Sequence, residues 1–291
     1  MKLYIKPDQS ITQALNAISI EESIELFLDE GIYHEKLRIT HKSIKIYGKG
    51  VDKTRIVNGD FAYKLHEDRL LYNTFRSYTV MVLSDNVYME HLTIENNCGR
   101  GERIGQGVAL HVLSKSSMFN HVQLIANQDT LFVGPLPRDL NERYDHFLPI
   151  EERHDLMTYH HFKDCIIKGD VDYIFGSGMA YFEHSTMVST GKGYVCAPST
   201  YHEFPYGFVF KDCTFINESE EAIYLGRPWR EYGSLVFLDC SYVGLFHKDR
   251  YTRWDKEHIR FYESPYVLQD IARPLTHEMI LDVKHWINKH F

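Results

Sequence analysis

The chain has 291 residues, 44% hydrophobic and 25% charged, and its 32 Lys and Arg against 40 Asp and Glu leave a net charge of −8. That composition excludes a disordered chain, and the acidic balance excludes a broad nucleic-acid surface. No apolar run reaches the ~20 residues of a membrane span, and the first ten residues, though they carry two lysines, lack the apolar stretch of a secretory signal.

In chain order, Ser10-Ile-Thr-Gln13 reads as a capping box opening a short helix with Ile11, Ala14, Leu15 and Ile18 on one face. Strand-like runs follow at Ser43–Tyr47, Thr79–Leu83, Val108–Val112, Thr130–Val133 and Leu235–Leu238. Six segments share a pattern: Tyr88-Met-Glu-His-Leu-Thr-Ile94, Met118-Phe-Asn-His-Val-Gln-Leu124, His161-Phe-Lys-Asp-Cys-Ile-Ile167, Tyr181-Phe-Glu-His-Ser-Thr-Met187, Val209-Phe-Lys-Asp-Cys-Thr-Phe215 and Val236-Phe-Leu-Asp-Cys-Ser-Tyr242. Each has His or Asp fourth and a small or apolar residue fifth. The fourth positions are spaced by 30, 43, 20, 28 and 27 residues, which suits a solenoid of coils. Cys165, Cys213 and Cys240 all fall fifth, so they are expected to stack inside successive coils. The five cysteines are an odd set with no Cys-x-x-Cys. A disulfide framework and a zinc site are not expected, and a reducing cytoplasm is the expected home. Export is expected instead if the sequence has been trimmed.

The long spacing of 43 holds a polar, Pro-broken, charge-dense segment at about 135–158. It reads equally as a solvated excursion or as a wall beside a cleft. The whole chain, 1–291, is expected to form one domain with this segment as an insertion loop. Helical signals are confined to the ends, where Thr276 opens a helix with Met279, Ile280, Val283, Trp286 and Ile287 on one stripe. Both helices are expected to cover the ends of the solenoid. The 20 Tyr and 17 Phe fit either stacked strands or a sugar-facing groove.

No Gly-x-Ser-x-Gly, His-Glu-x-x-His, P-loop or dinucleotide fingerprint occurs. What remains is a set of polar residues beside the strands: Gln106, Gln128, Asp129, Asp172, Arg227 and the neighbouring Trp229. Adjacent strand residues face opposite ways, so Gln128 and Asp129 can share a site only at a strand end or bulge. Taken singly, the acids can cap turns, the glutamines can form an amide ladder, and Arg227 can be a structural partner.

Gln106-Gly-Val-Ala-Leu110, Gln128-Asp-Thr-Leu131, Gly169-Asp-Val-Asp-Tyr-Ile-Phe-Gly176 and Leu225-Gly-Arg-Pro-Trp229 together resemble the pectinesterases (pectin methylesterases) of plants and bacteria. Fainter likeness reaches from the first helix through Arg260-Phe-Tyr-Glu263 to the last. The resemblance implies an all-β, right-handed, single-stranded parallel β-helix with short terminal helices. It implies hydrolysis of methyl esters on galacturonate units of pectin or oligogalacturonides, with no metal or other cofactor. By position, Asp172 resembles the nucleophile and Asp129 the general acid and base. Gln106 and Gln128 resemble the oxyanion-hole donors, and Arg227 the group that orients the nucleophile. From first principles, Arg227 is expected to depress the pKa of Asp172. Trp229, Phe75, Tyr173 and Trp254 match aromatic substrate-binding positions.

Asn127 departs from many plant members, which have an aromatic residue there, and the charged insertion departs again. A narrowed groove is the expected consequence, favouring short oligomers inside the cell. The rival readings are a lyase or galacturonase on the same fold, a non-catalytic carbohydrate-binding β-helix, and an esterase acting on a different ester.

Overall fold

The computed structural model describes residues 1–265 and 269–291. Its strands pair in parallel, each with the equivalent strand of the next coil, so the chain winds as a β-helix with three faces. One face begins at Lys2–Ile5 and Ser23–Leu28 and climbs through Ser116–Asn120, Tyr159–Lys163 and Met179–Glu183 to Arg260–Ser264. A second includes Val122–Ile125, Ile166–Gly169, Thr186–Ser189 and Thr214–Asn217. The third is a separate sheet of seven short strands: Leu37–Ile39, Val80–Val82, Leu110–Val112, Leu131–Val133, Ile174–Gly176, Tyr194–Pro198 and Tyr224–Gly226.

The repeated His or Asp has a geometric cause. His91, His121, Asp164, His184, Asp212 and Asp239 all have φ between 49° and 56°. They form the corner where the chain turns from the first face to the second. Outside glycine, the left-handed region favours Asn, Asp and His, whose short polar side chains tolerate it. The residue after each corner turns inward. Leu92, Val122, Cys165, Ser185 and Cys213 are buried, and Cys240 packs against the core. The second repeat position supplies a stack of inward rings, Phe119, Phe162, Phe182, Phe210 and Phe237, with successive centroids 4.7, 4.8, 4.5 and 5.0 Å apart. Their spacing is the ~4.8 Å distance between paired strands. Each such contact adds ~0.5–1.5 kcal/mol beyond area burial.

The early coils at Ser23–Leu28, Gly31–Tyr33 and Thr54–Asn58 belong to the same helix without the His or Asp marker. At the start, α1 (Ile11–Asn16) buries Ile11 and Leu15, with Ser10 accepting a hydrogen bond from the Gln13 amide. Helices are not confined to the ends, because α2 (Asn73–Arg76) and α3 (Arg138–Arg143) lie in loops of the third face. The last helix, α4 (His277–His290), is capped by Thr276 as expected. It does not close the end of the solenoid. Val283 and Trp286 pack with the outward side chains Tyr181, Val209 and Val236, so α4 lies along the flank of the first face. The outward residues there are apolar and have to be covered.

The insertion is a packed wall, not a solvated excursion. Leu136, Leu140 and Leu148 are buried with Phe75, Met81, Phe132 and Phe175 against the outer side of the third face. Charges fasten it: Arg38 meets Glu152 at 2.9 Å and Glu151 at 2.8 Å, and the Arg76 guanidinium donates to the Phe147 carbonyl at 2.8 Å. Arg138 also pairs with Glu203.

Candidate active site

The polar residues gather where loops enter and leave the third sheet. The backbone amide of Gly107 donates to the Gln128 carbonyl at 3.1 Å, and that of Asp129 to the Val171 carbonyl at 3.0 Å. Gln106, Gln128 and Asp129, and Asp172 therefore come from three successive coils, stacked along one edge. Asp129 and Asp172 occupy turns just before strands Leu131–Val133 and Ile174–Gly176, with φ of 66° and 48°. This turn lets the neighbours Gln128 and Asp129 reach one site, as the parity argument required. Two glycines make room for the acid-bearing turn. A Cβ at Gly169 would lie 2.3 Å from the Tyr173 Cβ, and one at Gly176, where φ is 127°, would lie 2.1 Å from the Val133 carbonyl oxygen.

Arg227 follows strand Tyr224–Gly226 and reaches back two coils. Its Nε donates to Asp172 Oδ1 at 3.0 Å and its Nη2 to Oδ2 at 2.6 Å. This planar fork fixes the carboxylate in two dimensions, which a lysine cannot do. The guanidinium is itself held between the rings of Tyr194, 4.3 Å away, and Trp254, 4.0 Å away. Trp254, at 44% exposed, forms the outer side of this clamp.

Both acids are buried, at 8% exposure for Asp129 and 9% for Asp172, and their partners differ. Burial pushes the Asp172 carboxyl above its ordinary value, and the two hydrogen bonds and charge of Arg227 pull it back. The expectation of a depressed Asp172 is therefore corrected: desolvation exceeds the pull of arginine, and Arg227 offsets it only in part. Asp129 has no arginine fork. Burial, then the negative charge of Asp172, hold its carboxyl well above the carboxylate range, with Arg227 opposing. Asp172 ionises first and Asp129 keeps the proton, the division of labour that an acid and a nucleophile need.

Two pockets adjoin this edge of the third sheet. The larger, about 680 Å³, is lined by Gln106, Gln128, Tyr63, Arg100, Asp170 and Lys192 among others. The smaller, about 250 Å³, is lined by Asp129, Phe75, Phe175, Trp229 and the insertion residues Arg143 and Tyr144. Gln106 and Gln128 are half-buried, and among the described residues their side-chain amides take no hydrogen-bond partner. An internal amide ladder is thus absent, and both amides are free to donate. Asn127 does not face a ligand. It accepts from Arg100 Nε at 3.1 Å and donates to the Gly99 carbonyl at 2.8 Å, tying down the loop beside the larger pocket.

One aromatic expectation is corrected. Tyr173 is fully buried inside the coil, its hydroxyl 2.9 Å from Ser189 Oγ, and cannot touch a substrate. Phe175 faces the pocket instead, with its ring centroid 5.9 Å from that of Trp229. Phe75, in α2, is 3% exposed at the back of the same pocket. Phe175 and Tyr194 were missing from the sequence reading. The alternation within Tyr-Ile-Phe-Gly marked Phe175, but the turn at Asp172 hides which phase points out. Nothing local marks Tyr194, since its contact with Arg227 depends on the register of the neighbouring strand.

The pectinesterase family model matches residues 7–137 and 154–262 and passes over 138–153. Among curated proteins, the chain is 30% identical over 251 residues to probable pectinesterase/pectinesterase inhibitor 64 of Arabidopsis thaliana, covering 78% of this chain and 37% of that protein. It is 26% identical over 245 residues to pectinesterase QRT1 of the same plant, covering 81% of this chain and 58% of the relative. The chain thus spans less than two thirds of the length of these relatives. Among solved structures, pectin methylesterase from carrot superposes with a TM-score of 0.77 at 20% identity, covering 99% of this chain and 95% of that one. Pectin methylesterase PemA from Erwinia chrysanthemi gives 0.76 at 23%, covering 96% and 94%. A pectin methylesterase in complex with a hexasaccharide gives 0.74 at 24%, covering 94% and 90%. These likenesses place the chain among right-handed parallel β-helices.

Proposed function

The chain belongs to the pectinesterase family, and from that premise we propose that it removes methyl esters from galacturonate units and releases methanol. The observation that carries the reading is the forked, ionisable Asp172 next to the proton-holding Asp129, with Asp129 lining one pocket and Gln106 and Gln128 lining another. An oxygen of Asp172 attacks the ester carbonyl carbon, and the carbonyl oxygen takes the negative charge. The Gln106 and Gln128 amides donate to that oxyanion. The intermediate collapses, the carbon–methoxyl bond breaks, and Asp129 gives its proton to the leaving oxygen, forming methanol. The acyl group is left on Asp172 as an anhydride. Asp129, now a carboxylate, takes a proton from water as the water oxygen attacks the acyl carbon. Asp172 leaves as a carboxylate, Asp129 is again protonated, and the product is a free galacturonate.

Trp229 and Phe75 offer apolar surface to a sugar ring in the smaller pocket. Insertion residues Leu140, Arg143 and Tyr144 wall the smaller pocket, which supports short oligogalacturonides over polymeric pectin as substrate. That a relative was solved with a hexasaccharide bound supports an oligosaccharide in the groove. The same reading puts the enzyme in a reducing cytoplasm, supported by five free thiols. The test is methanol release from methyl-esterified galacturonides graded from trimer to polymer, with chain length and unsaturation of the products followed together. Methanol release from trimers and hexamers, without chain cutting, is the expected result. Shortened or unsaturated products would replace the esterase with a chain-cleaving enzyme, and activity rising steadily to polymer would remove the oligomer preference.

A further inference from the structure

The insertion that the family model passes over brings its own cation to the substrate pocket. Arg143, near the end of α3, lines the smaller pocket beside Tyr144, Trp229 and Asp129. The other basic residues of that segment are occupied. Arg138 pairs with Glu203 and Asp155, and Arg153 donates to the Leu148 and Asn141 carbonyls. The second arginine of the pocket, Arg230, is committed to Asp139 through two bonds of 2.9 and 2.7 Å and lies over the Trp229 ring. Arg143 alone, among the described residues of this pocket, is a cation without a hydrogen bond or ion pair. Its charge lowers the pKa of Asp139, one helical turn back, and is not among the influences on Asp129 or Asp172. It is therefore placed to meet a ligand, not to tune the acids.

We propose that Arg143 binds the free carboxylate of a sugar unit neighbouring the esterified one. The preferred substrate is then a partly de-esterified oligogalacturonide, in which an acid unit occupies the insertion-walled pocket while the ester lies over Asp172. A methyl ester cannot form the charged, two-pronged contact that guanidinium makes with a carboxylate. The proposal rests on the esterase reading for its chemistry, but its binding step can be read without turnover.

Binding of unesterified trigalacturonate at low salt is compared for the wild type and Arg143→Ala, with Arg143→Lys as a third arm. The alanine variant is expected to bind roughly tenfold more weakly, with a shallower salt dependence, and lysine to restore part of the loss. Equal binding by wild type and Arg143→Ala overturns the proposal. In turnover, the wild type is expected to favour a trimer with one free acid over the fully esterified trimer. The ratio of their kcat/KM values should fall toward one in Arg143→Ala, through KM. Equal losses on both substrates would leave the ratio intact and contradict carboxylate recognition. Absence of methanol release from every substrate would sink the esterase reading, and the binding arm would still decide the role of Arg143. Arg143 is exposed and unpaired, so an unchanged melting temperature separates these effects from misfolding.

Discussion

Replacing Arg227 by glutamine removes the only cation held against Asp172 among the described residues and leaves a shorter, neutral side chain. Burial already raises the Asp172 carboxyl, and Arg227 is the group that opposes it, through bonds of 3.0 and 2.6 Å. An arginine at hydrogen-bond distance favours the ionised form of an aspartate, so its loss should raise the Asp172 carboxyl still further. Arg227 also lowers Asp129, so the alkaline limb should move up as well. The whole bell-shaped profile of kcat/KM is expected to shift to higher pH. Below the wild-type acid midpoint the variant should be slower by roughly 10–100-fold, and the two rates should converge as pH rises past the acid midpoint of the variant. Arg227→Lys keeps the charge and loses the fork, so its acid midpoint should move less while kcat falls. The assay is initial-rate methanol release across pH 4–9 (roughly, spanning both limbs). A profile that keeps its position and drops by one constant factor would refute the reasoning, because Arg227 would then aim Asp172 without setting its ionisation.

Asp129→Asn should abolish turnover and also report on the buried proton. The folded carboxyl is raised, so its contribution to stability is complete below the ordinary carboxylate pKa and is lost as pH rises through the folded value. The melting temperature of the variant relative to wild type should therefore climb between acid and neutral pH, and a difference that is flat or falls would contradict a raised Asp129. Gln106→Ala and Gln128→Ala should each lower kcat by ~10²–10³ with little change in KM, and a loss confined to KM would make them ground-state binders.

The repeat was readable because one backbone requirement, a corner residue at positive φ, restricts the sequence to few types. His91 and Asp164 differ chemically and serve the same turn. Coils before residue 58 turn without that marker, so their short strands carried no shared signature. The order of Gln106, Gln128, Asp129, Asp172 and Arg227 was legible as a set of loops on stacked strands. The direction of the Asp172 shift was not, because it depends on how much water the fold removes, and that is fixed by residues from other coils. Tyr173, expected at the substrate by resemblance alone, points inward because the turn at Asp172 resets the inward and outward alternation. The insertion read as ambiguous because Leu136, Leu140 and Leu148 are few among many charges, and only the third face shows what they bury. The role of α4 was misplaced because its apolar stripe specifies a partner surface without saying whether it is an end or a flank.

The central claim, that Asp172 is the nucleophile of a metal-independent methylesterase, is tested most directly by methanol release from methyl-esterified oligogalacturonides with EDTA present, comparing wild type with Asp172→Asn. Release by the wild type, lost in the folded variant, is the predicted result. Release that persists in Asp172→Asn, or that EDTA abolishes in the wild type, would contradict it.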